Sequence, residues 1–414
     1  MGGTVHVIGA GLAGLSAALA LSADGRRRVE LHEAARHAGG RCRSYFDSTL
    51  GRVIDNGNHL VLSGNKAVRQ HLEETGASDK LVAPDDASFH FVDLPTGRRW
   101  TVRPNAGPLP WWIFSRARRV PDTRWHDYLG LAKLMRAGKR DTIADTMACQ
   151  GPLYERLWHP LLVAALNTEP KVSSAALAGE VVRETLAKGG AACRPLIAAE
   201  GLAEAFVDPA LATLTGRGVA VRFDSRLRAL DRAGERLAAL DFGDAGKVEL
   251  GADDAVVLAV TAPVASLLLP EVPAPDAFRS IANVHFLIEA PADLPDMLGL
   301  INATSEWLFR FQGRLAVTVS DADRLMDMPR EELARLVWAE VAAVTGLPAT
   351  LPPWQVIREK RATFAALPEQ DARRPGPRTP FANLVLAGDW TATGLPATIE
   401  GALRSGRTAA AALT

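Results

Sequence analysis

The sequence predicts an α/β fold, and three segments of the chain support this prediction. Residues 5–8 are a short apolar run that leads into the spacing Gly-x-Gly-x-x-Gly over residues 9–14. Residues 29–33 form a second strand-like run, and residues 253–260 have the apolar character of a buried parallel strand. A strand, a glycine-rich turn, a helix and a second strand make up a βαβ unit of the Rossmann type, which builds parallel sheets.

The glycine-rich turn predicts a dinucleotide-binding site. Backbone N–H groups in such a turn can approach a pyrophosphate, which then lies at the positive end of the following helix. Glu33 follows the last glycine at the distance where a carboxylate accepts hydrogen bonds from ribose hydroxyls. An ordinary tight turn would explain the glycines but not the strand, the helix and the acid together. The residues assigned to this part of the site are Gly9, Gly11, Leu12, Ala13, Gly14 and Glu33.

A second glycine pair and two later segments extend this site. The pair Gly39–Gly40 allows another close backbone approach, and Arg41 supplies donors for phosphate or ring oxygens. Residues 55–59 and the late pair Gly388–Asp389 complete a pattern that resembles the FAD-binding pattern of the amine oxidase and phytoene desaturase superfamily. A domain that binds only a nicotinamide cofactor would not need the late segment.

The resemblance implies FAD that is bound without a covalent link. It places the late pair against the ribityl–pyrophosphate region of the flavin, and it starts a helix near the isoalloxazine ring. It also places the backbone of Leu227 beside the adenine. Cys42 lies on the phosphate side of the pattern, so we do not expect it to be attached to the flavin. The residues that the resemblance adds to the site are Gly39, Gly40, Arg41, Asn56, Gly57, Leu227, Gly388, Asp389, Thr398 and Ile399.

The domain organisation is predicted to be interleaved, because the motifs at both ends of the chain must meet on one flavin. The FAD-binding domain comprises residues 1–65, 195–270 and 370–414. The intervening residues 66–194 and 271–369 form an α+β substrate domain. Within the latter, residues 329–344 carry one apolar stripe at helical spacing, which predicts a helix packed in the core.

The composition is neutral and poor in cysteine. Lysine plus arginine and aspartate plus glutamate both total 47, so we expect no nucleic-acid partner. Cys42, Cys149 and Cys193 lack the spacing of a disulfide framework or a zinc site, so we expect no metal and a reducing, cytoplasmic location. The chain shows no leader pattern and no apolar run of about 18 or more residues that could span a bilayer.

Two further segments narrow the resemblance. Residues 54–60 and 157–168 are similar to segments of the squalene-associated FAD-dependent desaturase family, and the likeness covers essentially the whole chain. Asn58 stands where that family more often has Gln, and both side chains carry an amide group. Members of the family are hydroxysqualene dehydroxylases of bacterial hopanoid synthesis. The resemblance therefore implies that hydroxysqualene is reduced to squalene, by hydride transfer from the reduced flavin to an allylic cation. The sequence does not name the electron donor that reduces the flavin.

The implied reaction also requires a donor that helps hydroxide to leave as water. His59, His159, Glu169 and Glu400 are candidates because they lie in or near the family-like segments. For each of them a structural task, such as capping a loop or bonding a cofactor oxygen, is the more frequent alternative. Asn167, at the end of an apolar run, either contacts the substrate or ends a helix.

An aromatic and basic segment allows two interpretations. Trp111, Trp112 and Phe114 precede three arginines within residues 116–119. Tryptophan favours the membrane–water interface, and arginine pairs with anionic head groups. The segment either docks the protein peripherally on the cytoplasmic face of the inner membrane, or it packs in the substrate domain with a solvated basic edge.

Two alternatives to the reductive enzyme remain open at this stage. One is an oxidative member of the same superfamily, a carotenoid-type desaturase or an amine oxidase. The other is a non-catalytic isoprenoid-binding protein in which FAD is structural.

Overall fold

The computed structural model of the protein describes residues 3–413. Met1, Gly2 and Thr414, at the outer ends of the predicted FAD-binding segments, lie outside the described residues. The strands are β1 (Thr4–Ile8), β2 (Arg28–His32), β3 (Ser44–Asp47), β4 (Arg52–Asp55), β5 (Leu60–Leu62), β6 (Leu81–Val82), β7 (Phe89–Asp93), β8 (Arg99–Val102), β9 (Pro195–Ala198), β10 (Ala220–Arg222), β11 (Ala229–Ala233), β12 (Arg236–Asp241), β13 (Lys247–Glu249), β14 (Ala255–Leu258), β15 (Phe278–Phe286), β16 (Met297–Ile301), β17 (Trp307–Phe311), β18 (Arg314–Val319), β19 (Trp354–Phe364) and β20 (Leu384–Leu386). The helices are α1 (Leu12–Ser22), α2 (Lys66–Thr75), α3 (Gly130–Leu134), α4 (Ile143–Thr146), α5 (His159–Leu166), α6 (Ala175–Glu184), α7 (Asp208–Gly216), α8 (Ala262–Leu268), α9 (Arg330–Thr345), α10 (Pro368–Asp371) and α11 (Ile399–Leu413).

The predicted α/β fold is confirmed by a five-stranded parallel sheet. Its strand order is β10-β2-β1-β14-β20, and all four pairings are parallel. The inner strands are almost wholly buried, as their apolar sequences require of strands that are covered on both faces. The first and last helices, α1 and α11, pack against each other beside this sheet, so the two ends of the chain meet.

A seven-stranded sheet forms the second layer, in the order β19-β15-β18-β17-β16-β7-β8. Its pairings are antiparallel except for that of β16 with β7. Side chains alternate between the two faces of a strand. One face packs on helix α9, and the other contributes Trp307 and Phe309 to a large apolar cluster that also contains Leu157 and Trp158.

The helix predicted over residues 329–344 is confirmed as α9, with its ends one residue later. Leu333, Val337 and Val341 are fully buried on one stripe, as the spacing predicts. The helix ends at Gly346, whose φ of +73° suits glycine because it has no Cβ.

The chain passes back and forth between the two large sheets. The parallel sheet takes β1 and β2 first, then β10 and β14, and finally β20, whereas β7, β8 and β15–β19 belong to the other sheet. The limits of the two domains remain a prediction. Between residues 3 and 413, no helix combines the length and the apolar character needed to cross a bilayer.

Candidate flavin site

The glycine-rich turn joins β1 to α1, and two of its positions need glycine for different physical reasons. A Cβ on Gly14 would lie 1.8 Å from the carbonyl oxygen of Gly9, so only glycine lets the helix pack this close to the strand. A Cβ on Gly11 would meet no heavy atom within 4 Å. The space beside Gly11 at the start of α1 is therefore open, as a phosphate-binding turn requires.

The second glycine pair lies beside the first turn. The N–H of Gly39 donates to the carbonyl oxygen of Ala10 at 2.8 Å. Gly40 has a φ of +57°, and a Cβ there would come within 3.4 Å of the Cα of Gly11. The two glycine segments thus line one edge of the parallel sheet, where backbone groups remain within reach of a ligand.

Glu33 follows β2 and closes the same edge. Its carboxylate accepts hydrogen bonds from the N–H groups of Ala10 at 2.7 Å and Ala35 at 2.8 Å, one to each oxygen. Each oxygen keeps a further lone pair for a ribose hydroxyl. The N–H of Ser225 donates to the carbonyl oxygen of Glu33 at 2.8 Å, which brings the segment leading to Leu227 beside Glu33.

The C-terminal motif reaches the second glycine segment through an ion pair. Arg41 Nη2 donates to Asp389 Oδ1 at 2.7 Å, although the two residues lie far apart in sequence. Burial opposes the charge of Arg41, but the Asp389 carboxylate raises the pKa of the guanidinium. Further along, the hydroxyl of Thr398 accepts a hydrogen bond from the N–H of Gly401 at 3.0 Å and so caps helix α11, which begins at Ile399.

These residues fit FAD. The open space beside Gly11, the start of α1 and the Glu33 carboxylate would hold the pyrophosphate and the ribose of the adenine half. Arg41 and Asp389 lie next along the same edge, toward the start of α11, where the flavin half would lie. The fit rests on the shape and chemistry of these segments.

A buried polar network lies beside Gly57. Asn58 Nδ2 donates to Thr318 Oγ1 at 3.1 Å, and Thr318 Oγ1 donates to Asn283 Oδ1 at 2.8 Å. A Cβ on Gly57 would lie 3.3 Å from Asn283 Nδ2, and Asn283 also donates to the carbonyl oxygen of Asn56 at 3.4 Å. Asn58 Oδ1 is buried and has no hydrogen-bond partner, which is costly unless the site has a use for the acceptor.

The sequence analysis did not identify Asn283 and Thr318. They lie on strands β15 and β18, which come more than two hundred residues after Asn58. Neither strand marks its residue by pattern, because β15 also carries Arg279, Ser280 and His285 and β18 also carries Arg314. Only the pairing of Asn283 with Thr318 across the sheet brings both to the segment that contains Gly57.

Two of the predicted proton donors lie close to the FAD segments. Burial and the charge of Arg41 lower the pKa of His59 to about 4, so His59 is neutral at pH 7. Glu400 is buried, and its oxygens accept from the N–H groups of Ala67 at 3.1 Å and Val68 at 3.0 Å. These contacts cap helix α2. Glu400 therefore has the structural task that the sequence analysis gave as the alternative to proton donation.

The other two predicted donors form a pair beside α5, in which His159 is the first residue of the helix and Glu169 follows its last residue. His159 Nε2 lies 3.5 Å from Glu169 Oε2, and their side chains are 42% and 43% exposed. The histidine lowers the pKa of Glu169. Asn167 ends α5 with a φ of +49°, and its side chain is bonded to Asp321 N and Thr363 Oγ1. These contacts favour the helix-ending interpretation of Asn167.

The aromatic segment divides between surface and core. Trp111 is 65% exposed and Phe114 is 55% exposed, and their rings pack 6.2 Å apart. Phe114 also contacts Trp125, which is 47% exposed, at 5.8 Å. We call Trp111, Phe114 and Trp125 the aromatic patch. Trp112 is 7% exposed and packs edge-on against Tyr128, so it must be removed from the predicted docking surface.

Within residues 3–413, one cluster could supply three metal ligands, namely His6, Glu30 and His32. Glu30 is already bonded to Arg28 at 2.7 Å and lies 3.4 Å from Arg222. Two guanidinium groups oppose the binding of a further cation, so we assign no metal here.

Comparisons with known proteins agree with this geometry. Residues 12–414 match the family of flavin-containing amine oxidoreductases. Among solved structures, cyclohexylamine oxidase from Brevibacterium oxydans shares the fold with a TM-score of 0.74 and 15% identity, over 100% of this chain and 99% of that one. A putrescine oxidase double mutant gives a TM-score of 0.72 and 17% identity, over 99% and 98% of the two chains.

The chain therefore belongs to the flavin-containing amine oxidoreductases and is an FAD-dependent oxidoreductase. Curated relatives place it more narrowly. It is 54% identical to hydroxysqualene dehydroxylase of Rhodopseudomonas palustris over 99% of this chain and 98% of the relative. The enzyme of the same name from Zymomonas mobilis is 45% identical over 98% and 97% of the two chains. Within its family, the chain belongs with the hydroxysqualene dehydroxylases.

Proposed function

We propose that this protein reduces hydroxysqualene to squalene with FAD. The observation that carries the proposal is the 54% identity, over almost the full length of both chains, to a protein named for this reaction. A relative named as a probable zeta-carotene desaturase is only 24% identical over 99% of this chain. Reduction is therefore favoured over oxidative desaturation.

The reaction replaces a hydroxyl group by hydrogen. The allylic C–O bond breaks, the oxygen takes up a proton and leaves as water, and the carbon accepts a hydride. Reduced FAD, when bound, supplies the hydride and is left oxidised. An electron donor must then reduce the FAD again before the next turnover. The cation formed on the substrate must be kept from bulk water, which would otherwise restore the alcohol.

Backbone groups of the glycine segments, together with Glu33 and Arg41, would hold the FAD without a covalent bond. Cys42 is the thiol nearest to the site in sequence, and burial raises its pKa far above the usual range. A protonated, buried thiol is a poor nucleophile, which supports a non-covalent cofactor.

The apolar cluster beneath the seven-stranded sheet suits a long hydrocarbon. Trp307 and Phe309 on the sheet belong to this cluster together with Leu157 and Trp158 from the helical side. Aromatic and aliphatic side chains bind a polyene through dispersion and exclude water from it. The Asn58–Thr318–Asn283 network supplies polar groups where this cluster meets the segment around Gly57.

The aromatic patch supports docking on an anionic membrane surface. Its three rings are exposed and in contact, and Arg116, Arg118 and Arg124 nearby are also exposed. Exposed aromatic rings insert at the interface while arginines pair with lipid phosphates. Docking at the cytoplasmic leaflet would give the enzyme access to a substrate that does not dissolve in water.

Vesicle flotation tests the docking. A Trp111, Phe114 and Trp125 to Ser variant should float with phosphatidylglycerol vesicles much less than wild type does. A matched control replaces Val264 and Leu267 by Ser, because these residues are exposed elsewhere on the surface, and it should bind as wild type does. Equal flotation of all three proteins would remove the docking role.

A single-turnover assay tests the reaction. Photoreduced protein is mixed with hydroxysqualene without oxygen, and the lipid product and the flavin spectrum are followed together. We expect squalene and oxidised flavin in equal amounts. Reduction of the oxidised flavin by squalene or phytoene, with no reaction of hydroxysqualene, would instead identify an oxidative desaturase.

A further inference from the structure

The buried network around Asn58 has a direction that backbone groups fix. Asn283 Nδ2 donates to the carbonyl oxygen of Asn56 at 3.4 Å, and a carbonyl oxygen can only accept. Asn283 Oδ1 therefore accepts on the other side, from Thr318 Oγ1 at 2.8 Å and from the N–H of Asn58 at 3.4 Å. The Thr318 oxygen in turn accepts from Asn58 Nδ2 at 3.1 Å. The network thus ends in an acceptor, Asn58 Oδ1, which is buried and has no hydrogen-bond partner among the described residues.

A donor without a partner lies on the neighbouring strand. The strand register places Trp307 directly opposite Thr318, so the two side chains lie on the same face of the sheet. Trp307 is 5% exposed, and within the part of the chain that the structure describes its Nε1 group has no hydrogen-bond partner. A Cβ on Gly299, which pairs with Trp307 from β16, would lie 3.2 Å from Trp307 Cζ3. Cζ3 is the indole carbon farthest from the nitrogen, so the N–H edge of the ring is turned away from β16, which leaves it on the side of Thr318.

These two groups lie between the flavin segments and the apolar cluster. Asn58 directly follows Gly57, where an added Cβ would lie 3.6 Å from His59 Nε2. The charge of Arg41, which belongs to the flavin site, in turn acts on His59. Trp307 is a member of the apolar cluster that suits a long hydrocarbon. A ligand that reaches both groups would therefore have its polar atom where the hydrocarbon meets the flavin side.

We propose that Asn58 Oδ1 and Trp307 Nε1 bind the hydroxyl group of a long-chain allylic alcohol, an inference that rests on the proposed function. A hydroxyl group is both a donor and an acceptor. Its O–H donates to Asn58 Oδ1, and its oxygen accepts from Trp307 Nε1. An alkene offers neither group, and an ether lacks the donor. Binding of the alcohol supplies the partners that two buried polar groups otherwise lack, which favours the alcohol over the product.

Binding to the oxidised enzyme tests this site, because oxidised FAD cannot reduce the alcohol. Dissociation constants of hydroxysqualene and squalene are measured on the FAD-loaded protein in dodecyl maltoside. Wild type should bind the alcohol at least about tenfold more tightly than squalene. Asn58→Leu and Trp307→Phe should each lose most of this preference. Trp338→Phe is the matched control and should keep it, because Trp338 Nε1 is also buried without a partner among the described residues but lies in the cluster on the α9 side of the sheet.

The methyl ether of hydroxysqualene supplies a test that needs no folded variant. It keeps the oxygen that accepts from Trp307 but has no O–H to donate to Asn58. Wild type should therefore bind the ether at least about tenfold more weakly than the alcohol. Asn58→Leu should bind the two ligands alike, because it has no acceptor that distinguishes them.

The outcomes separate this site from the proposed function. A preference for the alcohol that persists in Asn58→Leu or in Trp307→Phe would overturn the site. If Asn58→Leu keeps the preference but binds FAD more weakly, the acceptor belongs to a flavin N–H group and the site is again overturned. Conversion of hydroxysqualene by a wild type that shows no preference would overturn the site alone. A wild type that prefers the alcohol, yet leaves hydroxysqualene unreacted when photoreduced, would instead refute the proposed function.

Discussion

Gly11→Val is expected to abolish FAD binding while leaving the folded chain intact. The Cβ of a residue at this position meets no heavy atom within 4 Å. Its φ of −72° and ψ of 175° are extended values that valine adopts readily. Replacing glycine by valine before the first turn of α1 should therefore cost about 1 kcal/mol of folding free energy or less.

The loss of cofactor affinity should be much larger. The branched side chain fills the space that the pyrophosphate needs, and backbone hydrogen bonds to the charged phosphates are lost. Each such bond contributes about 1.5–3 kcal/mol. The loss of two gives about 3–6 kcal/mol, which corresponds to at least a 100-fold rise in the Kd for FAD.

The assay compares Gly11→Val with Gly14→Ala. Calorimetry of the FAD-free proteins gives Tm, and quenching of flavin fluorescence gives the Kd. Gly14→Ala should lower Tm itself, because its methyl group would lie 1.8 Å from the carbonyl oxygen of Gly9. Gly11→Val should keep Tm and lose FAD. Wild-type affinity in Gly11→Val would refute the phosphate-binding turn, and a large fall in its Tm would show that the loss is an effect on folding.

Three further perturbations have expected outcomes. Glu33→Ala should weaken FAD by about 1–3 kcal/mol in a binding titration, because it removes the ribose acceptor, and Glu33→Gln should weaken it less; equal affinity of all three proteins would contradict the assignment. Arg41→Met should lower both flavin occupancy and Tm, because it leaves the buried Asp389 carboxylate without its charged partner. Arg41→Lys should recover part of both losses. Burial lowers the pKa of His32 from 6.5 to about 4, so the unfolded chain binds a proton in this window that the folded chain excludes. The free energy of unfolding should therefore fall by up to about 3 kcal/mol between pH 6.5 and 4, and urea titrations of His32→Gln should show a shallower fall.

The sequence by itself was sufficient for the parts of the fold whose contacts are local. Gly14 and Gly9 meet across one turn, and the stripe on α9 repeats every three or four residues, so spacing alone predicts both. The parallel sheet follows from the apolar runs, because strands covered on both faces need continuous hydrophobic sequence. The link between the two ends of the chain came from a family resemblance, and the Arg41–Asp389 pair supplies its physical basis.

The tertiary structure decided which polar groups meet and which aromatic rings reach solvent. Glu306 and His159 lie nearly 150 residues apart, and each looks ordinary in its own segment. Only the fold places the charge of His159 near the start of β17, where partial burial raises the pKa of Glu306 to about 7. Trp111 and Trp112 are adjacent and identical, yet one is exposed and the other buried, because the short helical turn directs them to opposite sides. Burial depends on the neighbours that the whole fold supplies, and a local pattern of residue types does not contain them.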